Sequence, residues 1–271
     1  MEVLPLSAKI ITMGNMKGGV AKTTTCSITA YLLSEKYRCL VCDFDSQGNL
    51  TEMLTLKPIR EFRQQGLGGC LAAVQEGDPR PHILRLNDNL HLLPANEEMG
   101  LFSRWLHSDY SDQNTNYAIK NMLSVIKDNY DYILLDTPPT LSELAINVLA
   151  ASDGVVVLYE TGQFCYSAVT SYLETIQAVK TGYPGMAPIN PSLKTLGILC
   201  SMLDLRRGDN KEFLALAQQT YPNCCFSTVI TRKAATGRLP FAGFFNNPEL
   251  TQAVDQFRPY IKELIARVKA S

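Results

Sequence analysis

An apolar run that breaks into a glycine turn and resumes with helical spacing is the feature that most limits how this chain can fold. Residues 10–25 read Ile10-Ile11-Thr12-Met13-Gly14-Asn15-Met16-Lys17-Gly18-Gly19-Val20-Ala21-Lys22-Thr23-Thr24-Thr25, and apolar residues recur at Ile28, Leu32 and Leu33. Strand, glycine loop and helix form the context a phosphate-binding loop requires. The glycines let the backbone approach an anion closely and turn its N–H groups inward. A helix starting near Lys22 adds unpaired N–H groups and the positive end of its dipole. In such a loop Lys22 reaches the β- and γ-phosphates and the Thr23 hydroxyl binds Mg²⁺. A glycine turn carrying two solvated lysines is the plain alternative, and the rest of the chain has to decide between them.

Two later stretches do so. Residues 38–43 form a second apolar run, with the continuous character of a parallel strand buried on both faces. It ends in Asp43-Phe44-Asp45-Ser46-Gln47-Gly48-Asn49-Leu50-Thr51. Acids just past a strand's carboxyl end lie where α/β sheets place ligands. A solvated Asp/Asn/Gly turn is the ordinary reading of such a composition. Tyr130-Asp131-Tyr132-Ile133-Leu134-Leu135-Asp136-Thr137-Pro138-Pro139 is a third run, again ending in an acid. An aspartate there binds Mg²⁺, usually through water, and the prolines fix the chain as it leaves the sheet.

Strands are expected at 9–14, 38–43, 89–95, 130–136, 154–159, 195–203 and 226–230. Helices are expected at 22–36, 97–107, 117–129, 141–151, 165–180 and 213–219, with a terminal helical pattern over 248–269 restarted or kinked at Pro259. Trp105 is expected in the core. The glycine- and proline-broken stretch 56–82 reads as a surface insertion around a short apolar helix at Leu71–Val74. Strands alternating with helices argue for a mostly parallel twisted sheet covered on both faces, an α/β fold. No linker or repeat marks a boundary, so 1–271 is expected to be a single domain.

The chain has 271 residues, 46% hydrophobic and 19% charged, which suits a globular core. Its formal net charge of −1 offers no global basic field for nucleic acid, so any such contact needs a local patch. No apolar run reaches membrane-spanning length and the first residues lack a signal-peptide pattern. The eight cysteines, Cys26, Cys39, Cys42, Cys70, Cys165, Cys200, Cys224 and Cys225, are expected as core thiols of a reducing compartment. Cys39 and Cys42 face opposite sides of a strand, and His82, His91 and His107 have no metal-ligand spacing.

The loop departs from the strict phosphate-loop pattern, which puts glycine where Met16 and Ala21 stand. In exchange it carries a second lysine, Lys17, followed by Gly18-Gly19. This resembles the deviant Walker A motif, Lys-Gly-Gly-x-Gly-Lys-Thr-Thr, of the ParA/MinD family of P-loop ATPases. Ala21 differs from the commonest form, and its Cβ is expected to shift the loop away from freely positive φ. The 43–51 stretch is similar to the family's Asp-x-Asp-Pro-Gln-Gly-Asn-x-Thr motif, with Ser46 for the proline. Asp136-Thr137-Pro138-Pro139 resembles its Walker B strand end. The order and spacing of the motifs match ParA partition ATPases over nearly the whole chain.

The resemblance implies a site. Lys17, Gly18, Gly19, Val20, Ala21, Lys22, Thr23 and Thr24 would bind nucleotide. Thr23, Asp43 and Asp136 would serve Mg²⁺ or its water shell. Lys22 and Asp45 would be catalytic, Asp45 on the attacking water, and Lys17 would cross a dimer interface to the partner's nucleotide. The implied activity is slow hydrolysis of ATP with Mg²⁺, stimulated by a ParB-like centromere-binding protein. The ATP-bound homodimer would bind double-stranded DNA without sequence preference, through Arg206, Arg207, Arg232, Lys233 and Arg238. Phe241, Phe244 and Phe245 would pack under the nucleotide or form a partner surface. A cytoplasmic, nucleoid-associated bacterial or plasmid protein without an N-terminal helix-turn-helix is expected, with no stable membrane association. Rival readings are a MinD-like membrane-positioning ATPase, resting on the weakly basic amphipathic stretch 261–269, and a nucleotide-gated regulator that barely hydrolyses.

Overall fold

A computed structural model describes residues 7–112, 114–161, 163–204 and 209–270, with the backbone alone for 163–166 and 209. Its strands are β1 (Lys9–Gly14), β2 (Cys39–Asp43), β3 (Leu84–Arg85), β4 (Leu90–Leu93), β5 (Tyr132–Asp136), β6 (Gly154–Tyr159), β7 (Lys194–Leu203) and β8 (Cys225–Thr231). They form one sheet in the order β3-β4-β2-β5-β1-β6-β7-β8. Every neighbouring pair is parallel except β3 with β4.

Side-chain alternation sends the strand residues into two cores, one on each face. Ile11, Met13, Cys39, Val41 and Leu134 enter the first; Ile10, Leu40, Cys42, Ile133 and Leu135 enter the second. Cys39 and Cys42 do lie on opposite faces, as their spacing requires. The seven cysteines whose side chains are described are free thiols. The sheet order places β2 and β1 on either side of β5, so the three chain segments that follow them emerge side by side at the carboxyl edge. That is where doubly wound sheets hold their ligands.

Several elements differ from the expected ones. The first helix, Lys22–Leu33, stops three residues early, because the N–H groups of Lys36 and Tyr37 both turn back to the Leu33 carbonyl. Residues 56–82 are not a surface insertion. They form helices Ile59–Gln64 and Gly69–Glu76, which bury Ile59, Phe62, Cys70, Leu71 and Val74. The glycines there end and connect short helices instead of breaking them; Gly77 is the left-handed cap of the second. The 97–107 helix splits into a 3₁₀ turn, Glu97–Leu101, and an α-helix, Phe102–Ser108. Trp105 is half-buried at the rim of the core, its ring 6.0 Å from Phe102 and 5.2 Å from Tyr110. The edge strand β3 and helix Ala234–Ala242, with Pro240 inside it, have no counterpart in the sequence reading.

The last helix, Arg258–Ala270, buries Tyr260, Ile261, Leu264 and Val268 against the sheet. Two of its charged residues fasten it there. Arg267 donates to the carbonyls of Leu196, Cys224 and Cys225 at 2.7–3.0 Å and lies 4.3 Å over the Phe226 ring. Glu263 accepts from the backbone N–H and the hydroxyl of Ser227. The apolar face on which a MinD-like membrane contact would depend is therefore spent on the sheet. No helix among the described residues is long and apolar enough to cross a membrane.

Candidate nucleotide site

The loop between β1 and helix Lys22–Leu33 is built on a buried asparagine that the sequence reading passed over. Asn15 donates to the Leu158 carbonyl of β6 at 2.5 Å and accepts the Lys17 N–H at 2.9 Å, which anchors the loop's entry. Gly19, at φ 81, makes the bend that only glycine takes without strain. Ala21 corrects an expectation: it sits in the left-handed region at φ 59 and ψ 33 despite its Cβ. The loop thus keeps the glycine conformation, at the energetic disadvantage of an L-residue there.

Lys22 is buried, and its ammonium donates to the Lys17 carbonyl at 2.8 Å, folding back across the loop. Burial lowers its pKa, while Asp136 and Asp45 pull the other way. An anion seated in the loop would offer that ammonium the partner that burial denies it. The helix begins with Lys22-Thr23-Thr24 and has no side-chain cap, so its first N–H groups face the loop.

The Asp43–Thr51 segment is held by its own acids. Both oxygens of Asp43 are occupied: one accepts from the N–H and hydroxyl of Thr51 at 2.8 and 2.7 Å, the other from the Asp45 N–H at 3.2 Å. Thr51 in turn accepts the Ala95 N–H at 2.9 Å, tying the turn to the end of β4. Asp45 closes the turn by accepting the Gln47 N–H and, on its carbonyl, the Gly48 N–H. Gly48 is left-handed at φ 65, and a Cβ there would lie 2.2 Å from an Ile59 methyl. Asp43 therefore organises the turn that presents Asp45, which is half-exposed.

Asp136 ends β5 directly beside Asp43 of β2. It is fully buried and neither of its carboxylate oxygens has a hydrogen-bond partner. Burial, then the neighbouring Asp43, raise its pKa to about 8; the Thr23 hydroxyl, near it but outside hydrogen-bond geometry, and the Lys22 charge draw it back. Burial likewise raises Asp43, against the hydrogen bonds from Thr51. An unpartnered buried carboxylate next to the first turn of a phosphate-loop helix has the oxygen-donor chemistry that suits a hard cation. The residues present thus fit a divalent ion held by Asp136 and Thr23.

The five basic residues assigned to DNA divide. Arg206 and Arg207 lie outside the described residues. Arg232 pairs with Glu160 at 3.1 Å and Arg238 with Glu249 at 2.6 Å. Lys233 is exposed and makes no ion pair among the described residues. Phe244 is buried against Tyr31, whereas Phe241 is 86% exposed, so these aromatics do not act as one group. A groove of about 570 Å³ opens at the carboxyl ends of β7 and β8, lined by Met202, Leu203, Asp204, Thr231, Arg232 and Lys233 among others. Sequence reading missed it because it is formed between two strand ends that carry no motif. It also missed Ser201, which reaches from β7 to the Val20 carbonyl.

Known proteins fit this geometry. A family model described as an AAA domain matches residues 8–194. The chromosome-partitioning ATPase Soj of Thermus thermophilus is 31% identical over 269 residues, covering 97% of this chain and 99% of Soj. Cobyrinic acid a,c-diamide synthase from Mycobacterium smegmatis, with bound ADP and magnesium, superposes with a TM-score of 0.77 at 27% identity, covering 97% of this chain and 96% of that one. An ATP complex of a McdA variant from Cyanothece superposes equally well, TM-score 0.77, at 20% identity over 96% of this chain and 97% of its own, and shares the fold. With its phosphate loop, its paired strand-end acids and this likeness over nearly its full length, the chain belongs to the ParA/MinD family of P-loop ATPases.

Proposed function

We propose that this protein is a ParA-type partition ATPase, which binds ATP with Mg²⁺, dimerises on it, binds DNA without sequence preference and releases it on hydrolysis. The observation that carries the reading is the buried Asp136, with no hydrogen-bond partner, between the Asp45 turn and the lysine of the phosphate loop. Lys22 and the N–H groups of the loop bind the β- and γ-phosphates, and Lys22 leaves the Lys17 carbonyl to do so. Asp136 and the Thr23 hydroxyl hold Mg²⁺, which neutralises charge on the phosphates. Asp43 acts indirectly, fixing the turn through its three hydrogen bonds. Asp45 orients the attacking water and accepts its proton. The β7–β8 groove takes the base; it lies on the same carboxyl edge, two to three strand spacings of about 4.8 Å from β1.

On this reading Lys17 of each copy completes the other copy's site, and hydrolysis by a lone chain is slow. A ParB-like partner speeds it, and the localisation is cytoplasmic and on the nucleoid. Lys233, with Arg232 and Arg238 released from exposed ion pairs of little net worth, would meet phosphates. Likeness to Soj over 97% of the chain supports the partition role. The test is a pair of variants. Lys22→Ala should lose ATP binding. Asp45→Ala should keep binding and dimerisation while turnover falls at least about a hundredfold, the scale of general-base and positioning effects. ATP affinity unchanged in the first, or wild-type turnover in the second, would remove these residues from the mechanism.

A further inference from the structure

The carbonyl of Val20 is the weak point of the phosphate loop. Val20 is fully buried and precedes Ala21, whose left-handed backbone takes the chain out of helical register. The helical hydrogen-bond series begins only with the Thr25 N–H on the Ala21 carbonyl at 2.9 Å. The Val20 carbonyl lies outside that series, and its donor among the described residues is the Ser201 hydroxyl, at 2.9 Å from 181 positions away. Ser201 is itself fully buried; its other acceptor, the Tyr159 carbonyl, is at 3.5 Å. The strand that carries it continues through Met202, left-handed at φ 61, to Leu203 and Asp204 in the β7–β8 groove.

We propose that Ser201 is a positioning residue of the phosphate loop: by donating to the Val20 carbonyl it holds Ala21 in the left-handed conformation that glycine would take without support. The physical need is twofold. A buried carbonyl stripped of its donor is left unsatisfied, and an alanine at positive φ relaxes toward negative φ unless its surroundings over-determine it. Ser201 also joins the loop to the strand leading into the groove, so the two halves of the site move together. The role in binding rests on the nucleotide reading above; the hold on the loop does not.

Two measurements separate these. In the protein without nucleotide, amide exchange over residues 21–25 should quicken in Ser201→Ala and return to the wild-type rate in Ser201→Thr, which keeps the hydroxyl. With a fluorescent ATP analogue and Mg²⁺, Ser201→Ala should bind about tenfold more weakly, the scale of one orphaned buried acceptor. Adding Ala21→Gly should recover most of that loss. Unchanged exchange in Ser201→Ala, or the same loss of affinity with and without Ala21→Gly, would overturn the proposal. If Ser201→Ala alone does not fold, the double variant should fold and bind; its failure would overturn the proposal equally. A wild-type protein that binds no nucleotide would sink the site reading, while the exchange comparison would still judge Ser201.

Discussion

Ala21 shows how much one methyl group can matter in this loop. At φ 59 it occupies a conformation that disfavours an L-residue by about 1 kcal/mol relative to glycine. Ala21→Gly should therefore stabilise the nucleotide-free protein by up to about 1 kcal/mol, less whatever the freer unfolded chain takes back. Denaturant unfolding would check it, and a variant less stable than wild type would contradict the assigned strain. Lys22, Asp45 and Asp136 could be read from the sequence because each follows an apolar run by a fixed, short step. Asn15, Thr51 and Ser201 could not. Their partners lie 143, 44 and 181 residues away, and only the sheet order brings them together. Thr51 shows the limit well. It stands inside a quoted motif, yet its task of holding Asp43 appears only in the folded chain.

Among the elements, the β2 and β5 ends carry the largest electrostatic tension. Asp43 and Asp136 are register partners on adjacent strands, both buried, both pushed toward the protonated form by burial. A carboxyl whose pKa is higher folded than unfolded binds more protons in the native state. Its effect on stability is then unfavourable as pH rises from about 4 toward 8. The nucleotide-free protein should lose melting temperature across that window, and Mg²⁺ with nucleotide should restore it most at the alkaline end. Asp136→Asn should flatten the slope, melting higher than wild type at pH 8 and not at pH 5, while hydrolysis is lost. A slope that survives in Asp136→Asn would place the tension elsewhere. The continuous apolar runs of these strands, each ending in an acid, made the sheet legible. The 56–82 helices were not, because glycines at their ends look the same in sequence whether they cap a helix or interrupt one.

Across the whole molecule, the C-terminal helix closes one face of the sheet, and the DNA reading depends on the carboxyl edge. Arg267 satisfies three strand carbonyls at once. Arg267→Ala should cost about 3 kcal/mol and lower the melting temperature by roughly 5–10 °C. Calorimetry would show it, and a free, membrane-seeking helix would leave the melting temperature unmoved. The basic residues near the groove are where sequence reading was least specific, since an exposed arginine looks alike whether it meets a phosphate or, as Arg232 and Arg238 do here, a glutamate. The most direct test of the account is binding to random-sequence duplex DNA with no nucleotide, with ADP and with ATP plus Mg²⁺, at two salt concentrations. The partition reading predicts binding with ATP alone, weakening steeply with salt, with a slope shallower by about one in Lys233→Ala. Hydrolysis without DNA binding in any nucleotide state would contradict it.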